Sequence, residues 1–224
     1  MFLRQKGTDR PTSDIFPPMT QVIRPTKVGV AEVDHFTVSE SESVMTGLSH
    51  RPYLITVPTG QYARLRVRGK VVMSDTRMER ITNREAVRQA RDTVLLGGLG
   101  LGMVTVGMLL KPEVETLVVV ETESDVIAAV EPQVRRYVGP ARARRLAVVC
   151  DDVFTYRPDL KFDVAYFDIW PEICQDNLPA VARLHQRYKG ALVRGGERQP
   201  WMGSWMADWL RDERAADRRR GGWW

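Results

Sequence analysis

Four short stretches carry the residues whose types and spacing could do chemistry. Thr93 to Gly102 reads T-V-L-L-G-G-L-G-L-G, in which Gly98, Gly100 and Gly102 alternate with Leu99 and Leu101. Glycine tolerates φ > 0 and lets a ligand come close to the backbone. Downstream, three apolar runs each end in acid: Val114 to Val120 in Glu121, Leu146 to Cys150 in Asp151-Asp152, and Phe162 to Phe167 in Asp168. Carboxylates accept hydrogen bonds, attract cations and take up protons. Glu121 lies 23 residues after Gly98, a spacing at which an acid can accept from a ribose diol. One acid alone would be explained as a cap on the next helix or turn. Three of them together with a glycine turn point to a ligand site.

The elements that must position these residues follow from the apolar pattern. Val94, Leu95 and Leu96 form a continuous apolar run, as expected of a strand buried on both faces. The glycines then turn the chain into Met103 to Leu110, about two turns of apolar helix, whose N-terminal N–H groups favour polar or anionic ligand groups. The three later runs are further buried strands. If they are parallel, their acids share one sheet edge, where open α/β sheets bind ligands. Ser124 to Val138 is expected to be helical, interrupted at Pro132 where a second short helix begins. Asp176 to Tyr188 places Leu178, Val181, Leu184 and Tyr188 on one apolar stripe, with His185 beside it as a packed or surface residue.

The segments L-L-G-G-L-G-L-G, V-V-V-E, V-V-C-D-D-V-F and F-D-V-A-Y-F-D-I-W, in this order and spacing, resemble the S-adenosylmethionine-binding core of class I methyltransferases. Within that superfamily the chain is most similar to the branch that includes spermidine synthase. The D-I-W…N-L-P…A-R-L-H stretch also resembles uncharacterised methyltransferase-like proteins of phages and bacteria. The resemblance runs from Met73 to Tyr188. A plain nicotinamide dinucleotide fold fits less well, because its G-x-G-x-x-G/A fingerprint meets Met103 at the sixth position.

The resemblance implies an α/β fold: a Rossmann-like methyltransferase core with a parallel sheet, truncated in its C-terminal half and preceded by a small N-terminal β-region. It implies S-adenosyl-L-methionine, or its decarboxylated form, as cofactor. The backbone of Gly98, Leu99, Gly100 and Gly102 would lie against the donor's amino-acid part, and Glu121 would hold the ribose. Asp151 and Asp152 would lie at the adenine, with Asp152 accepting from its amino group. Asp168 would lie at the donor, and its carboxylate would serve as the catalytic proton acceptor or hold the acceptor's ammonium. Spermidine synthases have D-S-T-D-P or similar here, with two acids flanking an acceptor amine. This chain has D-I-W-P-E, with Pro171 at the second acid's place and Glu172 one position late. That departure tilts the expectation toward methyl transfer. Two candidate substrate contacts follow: Trp170, which would either offer a flat face to an aromatic or cationic acceptor or seal the sheet edge, and Glu85, on the helix that in spermidine synthases faces the active site.

The rest of the chain gives structural expectations. Thr82-Asn83-Arg84-Glu85 matches a capping box, which by itself explains Glu85. Lys27 to Val38 suits a strand, and Ser39 to Ser49 a solvated loop. Tyr53 to Val57 and Tyr62 to Met73 suit a hairpin turning at Thr59-Gly60. In it Arg64, Arg66, Arg68 and Lys70 alternate with apolar residues, so the cations share one face. Trp201, Trp205 and Trp209 recur every four residues and suggest a helix whose aromatic stripe covers the sheet edge or forms a homodimer contact. The chain thus divides into an N-terminal arm (1–26), a β-hairpin region (27–75), the core (76–195) and a C-terminal helix and tail (196–224). The arm, with four prolines and no periodicity, suits an extended or partly disordered lead-in.

Composition narrows the classes. The 224 residues are 43% hydrophobic and 27% charged, with a net charge of +5. That suits one domain of moderate size with a substantial core. No apolar stretch reaches the 18 or so residues of a membrane span, and the start M-F-L-R-Q-K-G has no signal-peptide core. Two cysteines make no disulfide framework and no metal-site spacing occurs, so a cytoplasmic location without a metal is the expectation. The expected partner is a small-molecule acceptor. Nucleic acid at the basic hairpin is allowed but not favoured, since no aromatic residues interleave there. A catalytically idle binding protein on the same fold is the remaining class.

Overall fold

Apolar runs separated by amphipathic helices build the C-terminal two thirds of the chain in the computed structural model, which describes residues 15–47, 57–194 and 198–221. A short helix α1 (Met19–Val22) opens the described chain, followed by strands β1 (Thr26–Val28) and β2 (Ala31–Val38), helix α2 (Glu40–Gly47), and strands β3 (Gly60–Val67) and β4 (Lys70–Ser74). These strands form an antiparallel sheet in the order β1-β2-β3-β4. Helices α3 (Arg77–Thr82) and α4 (Arg84–Gln89) lead into β5 (Asp92–Gly97), α5 (Met103–Leu109), β6 (Val114–Glu121), α6 (Ser124–Val138), α7 (Pro140–Ala143) and β7 (Leu146–Cys150). Strand β8 (Val164–Phe167), α8 (Leu178–Tyr188), β9 (Trp201–Ser204) and α9 (Ala207–Gly221) complete it.

The second sheet has the order β7-β6-β5-β8-β9 with every pair parallel. The fold is therefore α/β and Rossmann-like, with a small antiparallel sheet before it. The chain builds outward from β5 to β7, then returns to add β8 and β9 on the other side. The order reverses between β5 and β8, which opens a crevice beyond their C-terminal ends. Both faces of β5 are buried: Val94 and Leu96 join the core shared with the N-terminal sheet, α5 and α6, while Leu95 packs with Leu184 and Tyr188 of α8. That two-sided burial is why β5 and β6 are continuous apolar runs and do not alternate.

Several expected elements take other forms. Residues 15–26 are not a loose arm, because Phe16, Met19, Val22 and Ile23 are all buried in the main core. The expected loop after Val38 forms α2, and its start is a capping box: Ser39 N–H donates to Glu42 Oε2 at 2.8 Å, while Glu42 N–H donates back to Ser39 Oγ at 3.4 Å. The expected box at Thr82 does not form. Thr82 ends α3, its hydroxyl donates to the Met78 carbonyl at 2.9 Å, and α4 has no side-chain cap. The hairpin turns at Arg68-Gly69, both with positive φ, and not at Thr59-Gly60; β3 pairs with β2 on its other side, and Tyr53 to Thr56 lie outside the described residues. Helix α6 runs through Pro132, which sits on its exposed side where the Ala128 carbonyl can turn to water. The fifth parallel strand is β9, which holds Trp201 of the expected helix, while Leu192 makes only an isolated bridge to Phe162.

That last difference matters most for the site. Trp201 and Trp205 do not share a helix stripe with Trp209. Trp201 lies on β9, stacked on Tyr166 at 6.0 Å, and Trp205 follows the strand, donating its indole N–H to Thr82 Oγ1 at 3.0 Å. A spacing of four is even, so it also puts two residues on one face of an extended segment. Among the described residues no helix is long and apolar enough to cross a membrane.

Candidate active site

The crevice between β5 and β8 widens into a cavity of about 420 Å³, closed on its far side by the antiparallel sheet. The chain enters it from β5 through Gly98, whose φ is +94°. A Cβ there would lie 2.1 Å from the Asp168 carbonyl oxygen, so only glycine lets β8 and the turn approach this closely. The Asp168 N–H in turn donates to the Gly97 carbonyl at 2.8 Å. Gly100, at φ +50°, lies against the thioether of Met73 from β4, which also accepts the Leu101 N–H at 3.3 Å. The antiparallel sheet thus touches the glycine turn directly.

Of the residues expected at the site, Gly98, Leu99, Gly100, Glu121, Asp152, Asp168 and Trp170 all line this cavity. Glu121 ends β6 and ties the turn down. Its Oε2 accepts the Leu99 N–H at 2.9 Å and its Oε1 accepts the Glu123 N–H at 3.0 Å. A carboxylate has about four acceptor sites, and Oε1 also accepts the Thr122 hydroxyl at 3.4 Å, so Oε2 is the oxygen that can still accept from a ligand. Asp152 Oδ1 accepts the Phe154 N–H at 2.8 Å, leaving Oδ2 toward solvent and cavity.

Gly102, Asp151 and Glu85 do not line the cavity. Gly102 starts α5 in the left-handed region, and a Cβ there would meet Val134 of α6 at 2.5 Å, so its smallness serves helix packing. Asp151 is exposed and accepts the Asp152 N–H at 2.7 Å, which shapes the turn after β7. Glu85 is exposed on α4, where it accepts from Gln89 Nε2 at 2.7 Å.

The helix residue that does face the cavity is Glu79, one turn and a half earlier, on α3. Its neighbour Arg80 anchors that helix. Arg80 donates to Asp75 Oδ2 at 2.9 Å and to the carbonyls of Phe16, Pro17 and Asp75. Asp75, 1% exposed, also accepts the Met19 and Ala63 N–H groups at 2.8 Å each. This buried cluster joins the N-terminal segment, β3 and α3, and so fixes Glu79 opposite Asp168. No local periodicity marks Glu79 as a site residue; only the fold brings it there.

Glu79 and Asp168 form a pair of desolvated acids. Burial raises Asp168 from 3.8 to about 7, opposed by the Asn83 amide, which favours the charged form. Asp168 as a whole residue is half-buried and lines the cavity. Burial also holds Glu79 well above the usual carboxylate range, and the charge of Asp168 adds to the shift. The pair therefore keeps a proton near neutrality. Around it stand Trp170 and Trp205, with Ile169, Val72 and Met73 completing the apolar walls.

The cavity's charge is one-sided. Among the described residues, Glu79, Glu121, Glu123, Asp152 and Asp168 line it against a single cation, Arg68, and Arg68 is itself paired with Glu123 at 2.8 Å. Such a lining favours a positively charged ligand. The basic hairpin face is largely neutralised, since Arg64 and Arg66 share Asp34 at 2.6 and 3.2 Å. Phe36 and Tyr62, 5.7 Å apart, do lie beside Arg64, brought there by the β2–β3 pairing.

No family model matches the sequence, and no curated protein is similar to it. Solved structures do overlay on it. The N-methyltransferase NodS from Bradyrhizobium japonicum WM9 overlays on 53% of this chain and 64% of its own, at 15% identity and a TM-score of 0.41. A dimethyladenosine transferase from Plasmodium falciparum covers 50% of this chain and 37% of its own, at 21% identity and a TM-score of 0.38. The glycopeptide N-methyltransferase MtfA covers 51% and 49%, at 22% identity and a TM-score of 0.39. The chain thus spans less than two thirds of the length of each of these proteins.

Proposed function

We propose that the protein is an S-adenosylmethionine-dependent transferase that moves a methyl group to an amine-bearing small molecule. One observation carries the reading: the glycine turn, Glu121, Asp152 and Asp168 meet at one cavity, at the switch point of a parallel sheet, whose described lining holds five acids and one cation. A volume of about 420 Å³ suits a ligand of nucleoside size. The acidic lining fits a sulfonium and disfavours a pyrophosphate, which weighs against a nicotinamide dinucleotide.

In this reading Glu121 accepts from the ribose hydroxyls, Asp152 from the adenine amino group, and the turn at Gly98 to Gly100 faces the amino-acid part. The donor, when bound, supplies an electrophilic carbon on positively charged sulfur. The residues of this chain then supply position and electrostatics, the main terms for such a displacement. Trp170 and Trp205 orient the acceptor against the acids. An ammonium must lose its proton before nitrogen can attack, and the Asp168–Glu79 pair receives it. The nitrogen lone pair forms the new N–C bond, the C–S bond breaks, and its electrons stay on sulfur.

A second reading, aminopropyl transfer from the decarboxylated donor, is favoured by a specific observation. The second acid that D-I-W-P-E lacks in sequence is supplied across the cavity by Glu79. Product analysis separates the two. Methyl transfer releases S-adenosylhomocysteine, whereas aminopropyl transfer releases methylthioadenosine. With a panel of primary and secondary amines, the first product is expected. Formation of neither, from any amine, would count against transfer altogether.

A further inference from the structure

The crossover from β7 to β8, residues 151–163, contains no helix, so its backbone groups need partners from elsewhere. The end of α8 supplies donors. The Tyr188 hydroxyl donates to the Val153 carbonyl at 2.8 Å, and Arg187 Nη2 donates to the carbonyls of Thr155 and Tyr156 at 2.6 and 2.8 Å. Beside these contacts the crossover and the end of α8 enclose an open cleft of about 390 Å³. It shares no lining residue with the acidic cavity.

The charge of this cleft has the opposite sign. Among the described residues, Arg157, Lys161 and Arg187 line it against one acid, Asp159. Arg157 and Lys161 come from the crossover, and Arg187 from the last turn of α8. Their donors are not used up. Both hydrogen bonds of Arg187 leave through Nη2, so its guanidinium keeps others. Lys161 donates to the Gly190 carbonyl, and an ammonium has further N–H groups to offer. Arg157 makes no hydrogen bond or ion pair among the described residues. Like charges gathered in one cleft repel one another, and a bound anion relieves that repulsion.

We propose that this cleft is a second ligand site, one that takes a phosphate monoester. Its excess of two positive charges matches the ester's charge of about −1.5 to −2 at pH 7. Arginine forks and a lysine ammonium are the donors that phosphate oxygens accept best. The ester's organic group has an apolar wall to lie on, formed by Pro158 and by Leu160, which is 49% exposed. The acidic cavity repels the same anion, so the two sites sort ligands by charge. The proposal stands apart from the transfer reaction, because it uses neither the donor nor Asp168.

The test is an amide NMR titration of the full chain with phenyl phosphate, beside phenol, which keeps the ring and lacks the anion. Phenyl phosphate should shift amides of residues 156–161 and 187–191 saturably, and phenol should not. Inorganic phosphate should act at the same residues more weakly. Arg157→Gln, which has no hydrogen bond or ion pair to lose, should weaken binding of the ester. Adding Lys161→Gln should bring the loss to about tenfold or more. Arg136→Gln removes the same charge from the exposed side of α6 and should change nothing. Absence of saturable shifts at these residues overturns the proposal, as does unchanged affinity in the double variant. Equal binding of phenol or of inorganic phosphate overturns the monoester assignment. Shifts centred on Gly98 to Gly100 would put the anion in the acidic cavity and overturn the separate site.

Discussion

The two sheets contribute to one cavity in opposite ways. The parallel sheet delivers its groups at strand ends: Gly98 after β5, Glu121 at the end of β6, Asp152 after β7 and Asp168 after β8. Each is next to an apolar run that positions it. The N-terminal half delivers Arg68, Met73 and Glu79 from a turn, a strand and a helix whose places depend on long-range contacts. The buried Asp75–Arg80 cluster, joining segments up to 64 residues apart, is what fixes them. In the proposed reading, the donor site is thus built from local order, while the acceptor side needs the assembled fold.

The sharpest way to test this division is to remove charge without shape on the parallel side. Asp168→Asn should lower turnover by about 10²–10⁴-fold, the usual weight of a positioned acid or base, with donor affinity nearly unchanged. Steady-state kinetics beside calorimetry measures both. Normal turnover would make Asp168 structural. Next in size is the anchor of the other half. Asp75→Ala leaves the Arg80 guanidinium buried without its partner and should cost about 3–5 kcal/mol of stability, read by urea denaturation. A loss below about 1 kcal/mol would mean that α3 is held by other contacts. Glu121→Ala should weaken donor binding by about 1–3 kcal/mol. Because Glu121 also accepts the Leu99 N–H, the variant's amide spectrum near the turn should change as well.

The smallest effect is on stability against pH. Asp168 rises from 3.8 when unfolded to about 7 when folded. Between those values the folded state binds more protons than the unfolded one, so this group's contribution falls as pH increases through the window. Glu79, also raised, acts in the same direction. Asp168→Asn should therefore stabilise the ligand-free protein above pH 7, on the order of 1–2 kcal/mol once screening by cavity water is allowed for. It should give no gain below about pH 4. Thermal melts at the two ends of the range check the sign.

The same contrast explains what the sequence made legible. Strand β6 ends at Glu121, as its apolar run predicts, because a doubly buried strand is a local signal; β7, half-exposed at the sheet edge, also ends at Cys150 as its apolar run predicts. Two matching S/T-x-x-E patterns show the limit. Ser39–Glu42 forms a capping box and Thr82–Glu85 does not, since Thr82 is engaged by Trp205, 123 residues away. The tryptophan spacing of four fits a helix and an extended segment equally, and only pairing of β9 with β8 decides between them. Glu79 was illegible for the same reason. Its role depends on burial and on Asp168, and neither is encoded within its own helix.

The central claim is that the acidic cavity binds a sulfonium donor, and parallel calorimetric titrations with S-adenosylmethionine, its decarboxylated form and NADH test it most directly. Saturable binding of at least one sulfonium donor, weakened in Glu121→Ala, with no heat from NADH, is the predicted result. Binding of NADH with neither donor bound would contradict the account.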